Sequence, residues 1–386
     1  MLTGRSARCG AYLILLGASL LSAAHAETPA EAAYRALREG RLEAAIAGFR
    51  EAIAAEPEDA RRAALSADLG YVHLKRGEET EAREAFLAAR AHGHDDPRLL
   101  LEIAYSYRRT GEDEAAARWF RRYLDQQSAL VPPEQILRAR REVRTLENRL
   151  DGAASLFYRT EGPPDRQLGL GARSLGGSQG LFDIRYRLAG RPERYFAPFS
   201  RLLWAIDGVS PVPSDDSLQA GFGLLAKPFP RKAFFLAAER LVALGRNARS
   251  DWLARASWSA GEGSEAPPER PDDWLYWSAF ADLAVIGTDR PDLQIIGEAR
   301  AGHGFGLGKE LSLIGFVFAS ALIEDVATGT ASQYEAGPGL MLSLGLGGTE
   351  HKAAARRLDL ITQYRLRIAG NSADSGGFVL QLVFGF

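Results

Sequence analysis

The chain has 386 residues, a formal net charge of -2, 40 glycines, and a composition that is 46% hydrophobic and 25% charged. That length gives room for two domains or one large one. Near-neutral charge gives no reason to expect a nucleic-acid partner.

Arg5 and Arg8 precede an apolar run, AYLILLGASLL, which closes in SAAHA before Glu27. This pattern predicts a signal peptide over 1–26, with the mature chain beginning at Glu27. The apolar core is shorter than the roughly 20 residues of a spanning helix. The one cysteine, Cys9, falls inside that segment. The mature chain is therefore expected to hold neither a disulfide framework nor a thiolate.

Residues 27–150 are rich in Ala, Leu, Glu and Arg and read as a helical domain. Gly40, Gly77 and Gly111 each end one amphipathic helix and precede another. Ala45, Ala82 and Ala116 follow five residues later, and Phe49, Phe86 and Phe120 nine residues later. The second and third units are 34 residues apart and the first interval is 37. The glycine allows the turn, the alanine lets antiparallel helices approach, and the phenylalanine fills the seam. These positions resemble the tetratricopeptide repeat family, with Leu69-Gly70 and Ile103-Ala104 at the matching earlier pair and Pro57 closing the first unit. His73 stands where that family usually has an aromatic residue, and Pro97 comes three residues late. The resemblance implies a curved solenoid whose concave face binds proteins or polymers; a packing spacer is the blander reading. A further helix is expected over 132–150, with the basic face of Arg138, Arg141 and Arg144 in water.

After Asp151-Gly152 the period changes from helical to two, and 12 or 13 strand candidates follow. They include 167–173, LFDIRYRL at 181–188, DWLARASWSA at 251–260, LDLITQYRLRI at 358–368 and the terminal FVLQLVFGF, with ASLFYRT at 154–160 as a doubtful extra. No interval reads as a crossover helix, so the sheet is expected to be antiparallel. In 182–188, Phe182, Ile184, Tyr186 and Leu188 share one face, while Asp183, Arg185 and Arg187 share the other. A soluble sandwich would turn the apolar face inward; an outer-membrane barrel would turn it to lipid, with the arginines in a hydrated lumen. The export signal, the many successive strands and the terminal phenylalanine favour the barrel. Trp252, Trp258, Trp274, Tyr276 and Trp277 fall near strand ends, as an aromatic belt would. The expected fold is a tetratricopeptide-like solenoid over 27–150 followed by an antiparallel transmembrane barrel of about 12 strands over 151–386, closed by the last strand.

KPFPRKAFFLAAERLVALGRNARSDWLARASWSAGEG, followed by WLYWSAFADLAV and GEARAGHGFGL, resembles the C-terminal domain family of bacteriophage N4 adsorption protein A. The resemblance covers roughly 217–322. It implies periplasmic repeats joined to an outer-membrane barrel, passage of a secreted polysaccharide, and partners in a periplasmic or inner-membrane synthesis machine. Use of the protein by a phage is also implied. This chain has far fewer repeats than the large members of that family, and no catalytic motif is carried over.

By parity the lumen-facing set includes Arg185, Arg187, Glu239, Arg255, Glu298, Arg300, Arg365 and Arg367. Such groups either hydrogen-bond sugar hydroxyls, their positive majority suiting an anionic polymer, or pair across the lumen and brace the wall. No nucleophile elbow, zincin, dinucleotide or phosphate-loop motif occurs. His303, and the pair His92 and His94, lack the companions a catalytic or metal site needs. No enzyme activity, cofactor or metal is therefore expected. Two roles remain open: an export pore for an exopolysaccharide, and a plugged outer-membrane anchor whose repeats recruit partners.

Overall fold

The computed structural model describes residues 27–126, 131–160, 178–206, 215–264, 273–289, 291–308, 310–326, 329–354, 356–371 and 376–386. The expected signal peptide and the strand expected at 167–173 lie outside them. Packing divides the chain into two compact units, Met1–Thr110 and Gly111–Phe386.

The first unit contains α1 (Pro29–Arg38), α2 (Leu42–Ala55), α3 (Asp59–Arg76), α4 (Glu79–Ala91) and α5 (Pro97–Thr110). Thr28 starts α1 with a capping box: its side chain accepts from the Glu31 amide, and Glu31 accepts from the Thr28 amide. The α1–α2 and α3–α4 turns pass through Gly40 and Gly77 at φ of 75° and 81°, a left-handed conformation that side chains resist. Ala45, Phe49, Ala82 and Phe86 are fully buried in the seams. At Gly70 the packing is closest, because an added Cβ would lie 2.4 Å from the Phe86 ring. Tyr34 meets Phe49 edge-on at 5.0 Å, and Tyr71 repeats the contact on Phe86 at 5.1 Å. These are tetratricopeptide-like helix pairs.

The second unit opens with α6 (Asp113–Asp125) and α7 (Pro133–Glu147), which pack together with Ala116 and Phe120 buried. Thirteen strand segments follow among the described residues. They are β1 (Leu150–Arg159), β2 (Gln179–Tyr186), β3 (Ala189–Arg191), β4 (Arg194–Ala205), β5 (Gln219–Lys227), β6 (Ala233–Ala243) and β7 (Asp251–Glu262). Next come β8 (Asp273–Ile286), β9 (Asp292–Gly306), β10 (Leu311–Val326), β11 (Gly329–Leu346), β12 (Arg356–Gly370) and β13 (Gly377–Gly385). β3 continues β2, since β4 pairs with β2 up to Arg185↔Phe199 and with β3 from Ala189↔Phe196. Thirteen segments thus make twelve strands, and the doubtful 154–160 is one of them.

The sheet closes on itself, with every pairing antiparallel: β1 pairs with both β2 and β13, and β2 pairs with β4. Phe386 seals the seam by exchanging two backbone bonds of 3.0 Å with Gly152. A closed sheet leaves no unpaired edge, which is the condition for crossing lipid with strands. Among the described residues no helix is long and apolar enough to cross a membrane.

β12 shows which face is which. Leu360, Tyr364, Leu366 and Ile368 are exposed on the outside, whereas Asp359 and Gln363 are 2% and 1% exposed. The apolar face therefore points away from the barrel axis and the polar face into it. The structure takes the barrel side of the two alternatives. On β13, Phe378, Leu380 and Leu382 likewise face out while Val379 is buried inside.

α7 is fastened to the barrel end where β1 begins and β13 finishes, called the near end below. Arg140 Nη2 donates to the carbonyls of Thr349 (2.6 Å) and Lys352 (3.2 Å), and Arg144 Nη1 to that of Ala354 (2.7 Å). These carbonyls belong to the β11–β12 connection, whose Lys352 reaches back to Asn148 at 2.8 Å. The basic face of this helix, expected in water, thus meets barrel backbone at Arg144. Each loop carbonyl has a lone pair outside any strand ladder for a guanidinium to meet, although Thr349 and Lys352 also accept each other's backbone amide.

Candidate functional site

The polar groups inside the barrel form a bridge across it. Arg159 on β1 grips both carboxylate oxygens of Glu335 on β11 at 3.0 and 3.1 Å. Two strands, β13 and β12, separate them in the sheet, so the contact runs through the lumen. Arg365 on β12 also binds Glu335 (2.9 Å) and extends to Glu298 on β9 (2.9 Å). Glu298 then holds Arg300 at 2.6 Å. Neutral groups complete the shell, with Gln333 and the Gly376 amide donating to Glu335 at 2.7 and 2.8 Å. The guanidinium of Arg365 also lies over Phe157 and Phe318, at 5.6 and 5.1 Å from their centres.

A second, shorter bridge joins Arg201 on β4 to Glu239 on β6 at 2.8 Å. It skips β5, where a Cβ at Gly221 would lie 1.8 Å from Glu239 Oε1. Arg255 pairs with Asp282 on the adjacent strand at 3.3 Å. Each of these buried arginines has an acid beside it, which is how a charge survives away from water.

Apolar side chains share the inside of the wall towards the near end. Trp274, Tyr276, Ile314, Phe316, Met341 and Ile361 form one buried inward cluster. Trp274 and Tyr276, expected in an outer aromatic belt, therefore face the other way. The parity of β8 decides this, because the lumenal Asp282 shares their even-numbered face and Trp277 takes the odd one. Trp274 Nε1 donates to the Gly263 carbonyl at 2.8 Å, satisfying the indole inside.

Among the described residues, cavities of about 750, 350 and 200 Å3 open between bridges and cluster. Phe280 and Gln381 border all three, and Phe280 is 43% exposed.

Of the eight residues singled out by parity, Glu239, Arg255, Glu298, Arg300 and Arg365 meet in these bridges. Arg185 pairs with Asp151 near the end of the wall. Arg187 lies where β2 breaks from β3, and its Nη2 donates to the Thr145 and Leu146 carbonyls of α7 at 3.1 and 3.4 Å. Arg367 turns to the Gly370 carbonyl at the other end of the wall. The residues sequence reasoning missed are Arg159, Arg201, Asp282 and Glu335. Parity along β4, β8 and β11 marks the last three, and Arg159 sits on the strand that read as doubtful. His303 meets Asp273 at 3.2 Å on the near-end rim, while His92 turns to Asp59 at 3.3 Å.

Residues 210–381 match the family model described as bacteriophage N adsorption protein A, C-terminal. The bacteriophage adsorption protein A of Escherichia coli (strain K12) is 26% identical over 268 residues, covering 62% of this chain and 26% of that protein. The match thus spans about a quarter of that relative's length. Among solved structures, a tetratricopeptide repeat protein from Parabacteroides merdae aligns over 31% of this chain and 44% of its own at 24% identity, with a TM-score of 0.27. MamA aligns over 31% and 65% at 18% identity, with a TM-score of 0.26.

Proposed function

For a chain whose residues 210–381 belong to the bacteriophage N adsorption protein A C-terminal family, we propose the role of outer-membrane passage for a secreted exopolysaccharide. The helical repeats stand in the periplasm, where they guide the polymer or dock the synthesis machinery. The passage is closed at rest by the Arg159–Glu335–Arg365–Glu298 bridge. The observation that carries this reading is a closed barrel with an apolar outer face whose interior holds cavities crossed by ion-paired arginines and carboxylates. Charged and hydrogen-bonding groups inside the wall suit a hydroxyl-rich polymer, and ion pairs can exchange partners with it as apolar plugs cannot. Adsorption of a phage, named for the curated relative, would use the barrel end opposite α7.

The test is single-channel conductance of the purified protein in planar bilayers, paired with surface glycan in a deletion strain. The wild type is expected to insert and conduct little, and the Glu335→Gln, Arg365→Gln variant to show stable ohmic steps. Glycan should be lost from the surface of the deletion strain. A barrel that stays silent in the variant, in a strain that keeps its glycan, overturns the proposal. That result would favour a second reading, a plugged anchor for the repeats, which the inward apolar cluster at the near end supports.

A further inference from the structure

The near-end cavity, at about 750 Å3, lies in the size range of ligand sites. Its described lining carries four bases, Arg231, Lys232, Arg300 and Arg357, against one acid, Asp359. Arg357 is held by Asp359 at 2.7 Å and Arg300 by Glu298 at 2.6 Å. Arg231 and Lys232, exposed on the β5–β6 connection, make no ion pair among the described residues. The deeper cavities continue the bias. Arg159, Arg300 and Arg365 face Glu298 and Glu335 in one, and Arg201 and Arg255 face Asp282 in the other. On the described lining of each of these cavities bases outnumber acids, although Glu239 beside Arg201 evens the count in the last.

Charge alone would suit any anion, but the rest of the lining is narrower in what it fits. Ser259, Ser278, Tyr276 and Gln381 offer hydroxyl and amide groups, with Tyr276 and Ser278 bonded to each other at 2.9 Å. Phe280 presents an exposed ring where this cavity meets the others. Donors and acceptors around a bare aromatic face match a sugar ring, which has hydroxyls at its edge and C–H groups on its faces. Unpaired cations beside them call for a carboxylate on that sugar.

We propose that the near-end vestibule binds a carboxylate-bearing saccharide through Arg231 and Lys232, so that the exported glycan is an acidic one. This rests on the export reading for the origin of the ligand. The binding itself stands apart from it. The experiment is calorimetric titration of the full-length protein in detergent with trigalacturonic acid, maltotriose and inorganic phosphate. Trigalacturonate is expected to bind at least about tenfold tighter than either of the others, and to weaken as salt rises. Arg231→Gln with Lys232→Gln should cost about tenfold for trigalacturonate and leave maltotriose unchanged. Folding of the variant is checked by its heat-modifiable mobility. Equal binding of the two trisaccharides, binding of phosphate as tight as trigalacturonate, or an unaltered affinity in the variant overturns the site. Acid-selective binding in a protein whose deletion leaves the surface glycan intact would keep the site and sink the export reading. Loss of a neutral glycan without acid-selective binding would do the reverse.

Discussion

Arg365 on β12 meets Glu298 on β9 at 2.9 Å, although β11 and β10 lie between those strands in the sheet. With its other nitrogen on Glu335, one guanidinium ties three strands from inside. Arg365→Ala would leave Glu298 and Glu335 each with one of its two arginines gone. Removing one member of a buried pair costs about 3–5 kcal/mol. The unfolding midpoint of the barrel in urea should fall accordingly. Arg365→Lys keeps the charge but loses the fork, so it should recover only part of that loss. An unchanged midpoint in Arg365→Ala would show that the bridge is not structural.

The arginines of α7 make a separable prediction. Arg140 and Arg144 supply donors to three carbonyls of the β11–β12 connection. Replacing both with alanine removes those donors without touching the wall. Amide hydrogen exchange over 347–354 should accelerate about 10- to 150-fold, reflecting the loss of roughly 1.5–3 kcal/mol of charge-assisted bonds. Exchange in β12 beyond Leu358 should stay as slow as in the parent. Uniform acceleration across the barrel would mean that α7 braces the whole wall.

Period-two parity carried most of this architecture, because lipid outside and charge inside impose the same alternation on each strand. It found Glu298, Arg300 and Arg365 without a structure. What it could not see is pairing across the lumen, since Arg159 and Glu335 are 176 residues apart. Aromatic character near a strand end, not parity, misplaces Trp274 and Tyr276 in an outer belt, since Asp282 on the same face of β8 marks them as inward. In the helical part, glycine, alanine and phenylalanine spacing gave the seams directly, because those contacts are local. The destination of Arg144 was not local and could not be read.

Gly70 tests the seam of the second repeat. A methyl group there would stand 2.4 Å from the Phe86 ring, and that ring is fully buried. Gly70→Ala is therefore expected to destabilise the helical unit by about 1–3 kcal/mol, despite alanine's better helix propensity. Phe86→Leu in the same chain should recover part of the loss by opening the space. Thermal melting followed at a helix-sensitive wavelength separates the outcomes. Stabilisation by Gly70→Ala alone would show that Phe86 yields freely.

Tyr34 gives the helical unit a defined response to alkali. Burial, with a hydrogen bond donated to Asp68 and the charge of that carboxylate, pushes its phenol from 10.0 up to about 12. The folded value lies above the unfolded one, so the stabilising contribution is complete below pH 10. It is lost as the pH rises through about 12. Tyr71 is pushed the same way by burial and then by Glu102, so Tyr34 will not titrate late alone. Ultraviolet difference titration of the parent against Tyr34→Phe should isolate one phenol ionising well above the ordinary range. Asp68→Asn, which keeps the shape but removes the charge, should bring that phenol down. The stability gap between parent and Tyr34→Phe should be flat through neutral pH and close only above pH 10. A gap that closes below pH 9 would mean that the Tyr34–Asp68 bond does not raise the phenol.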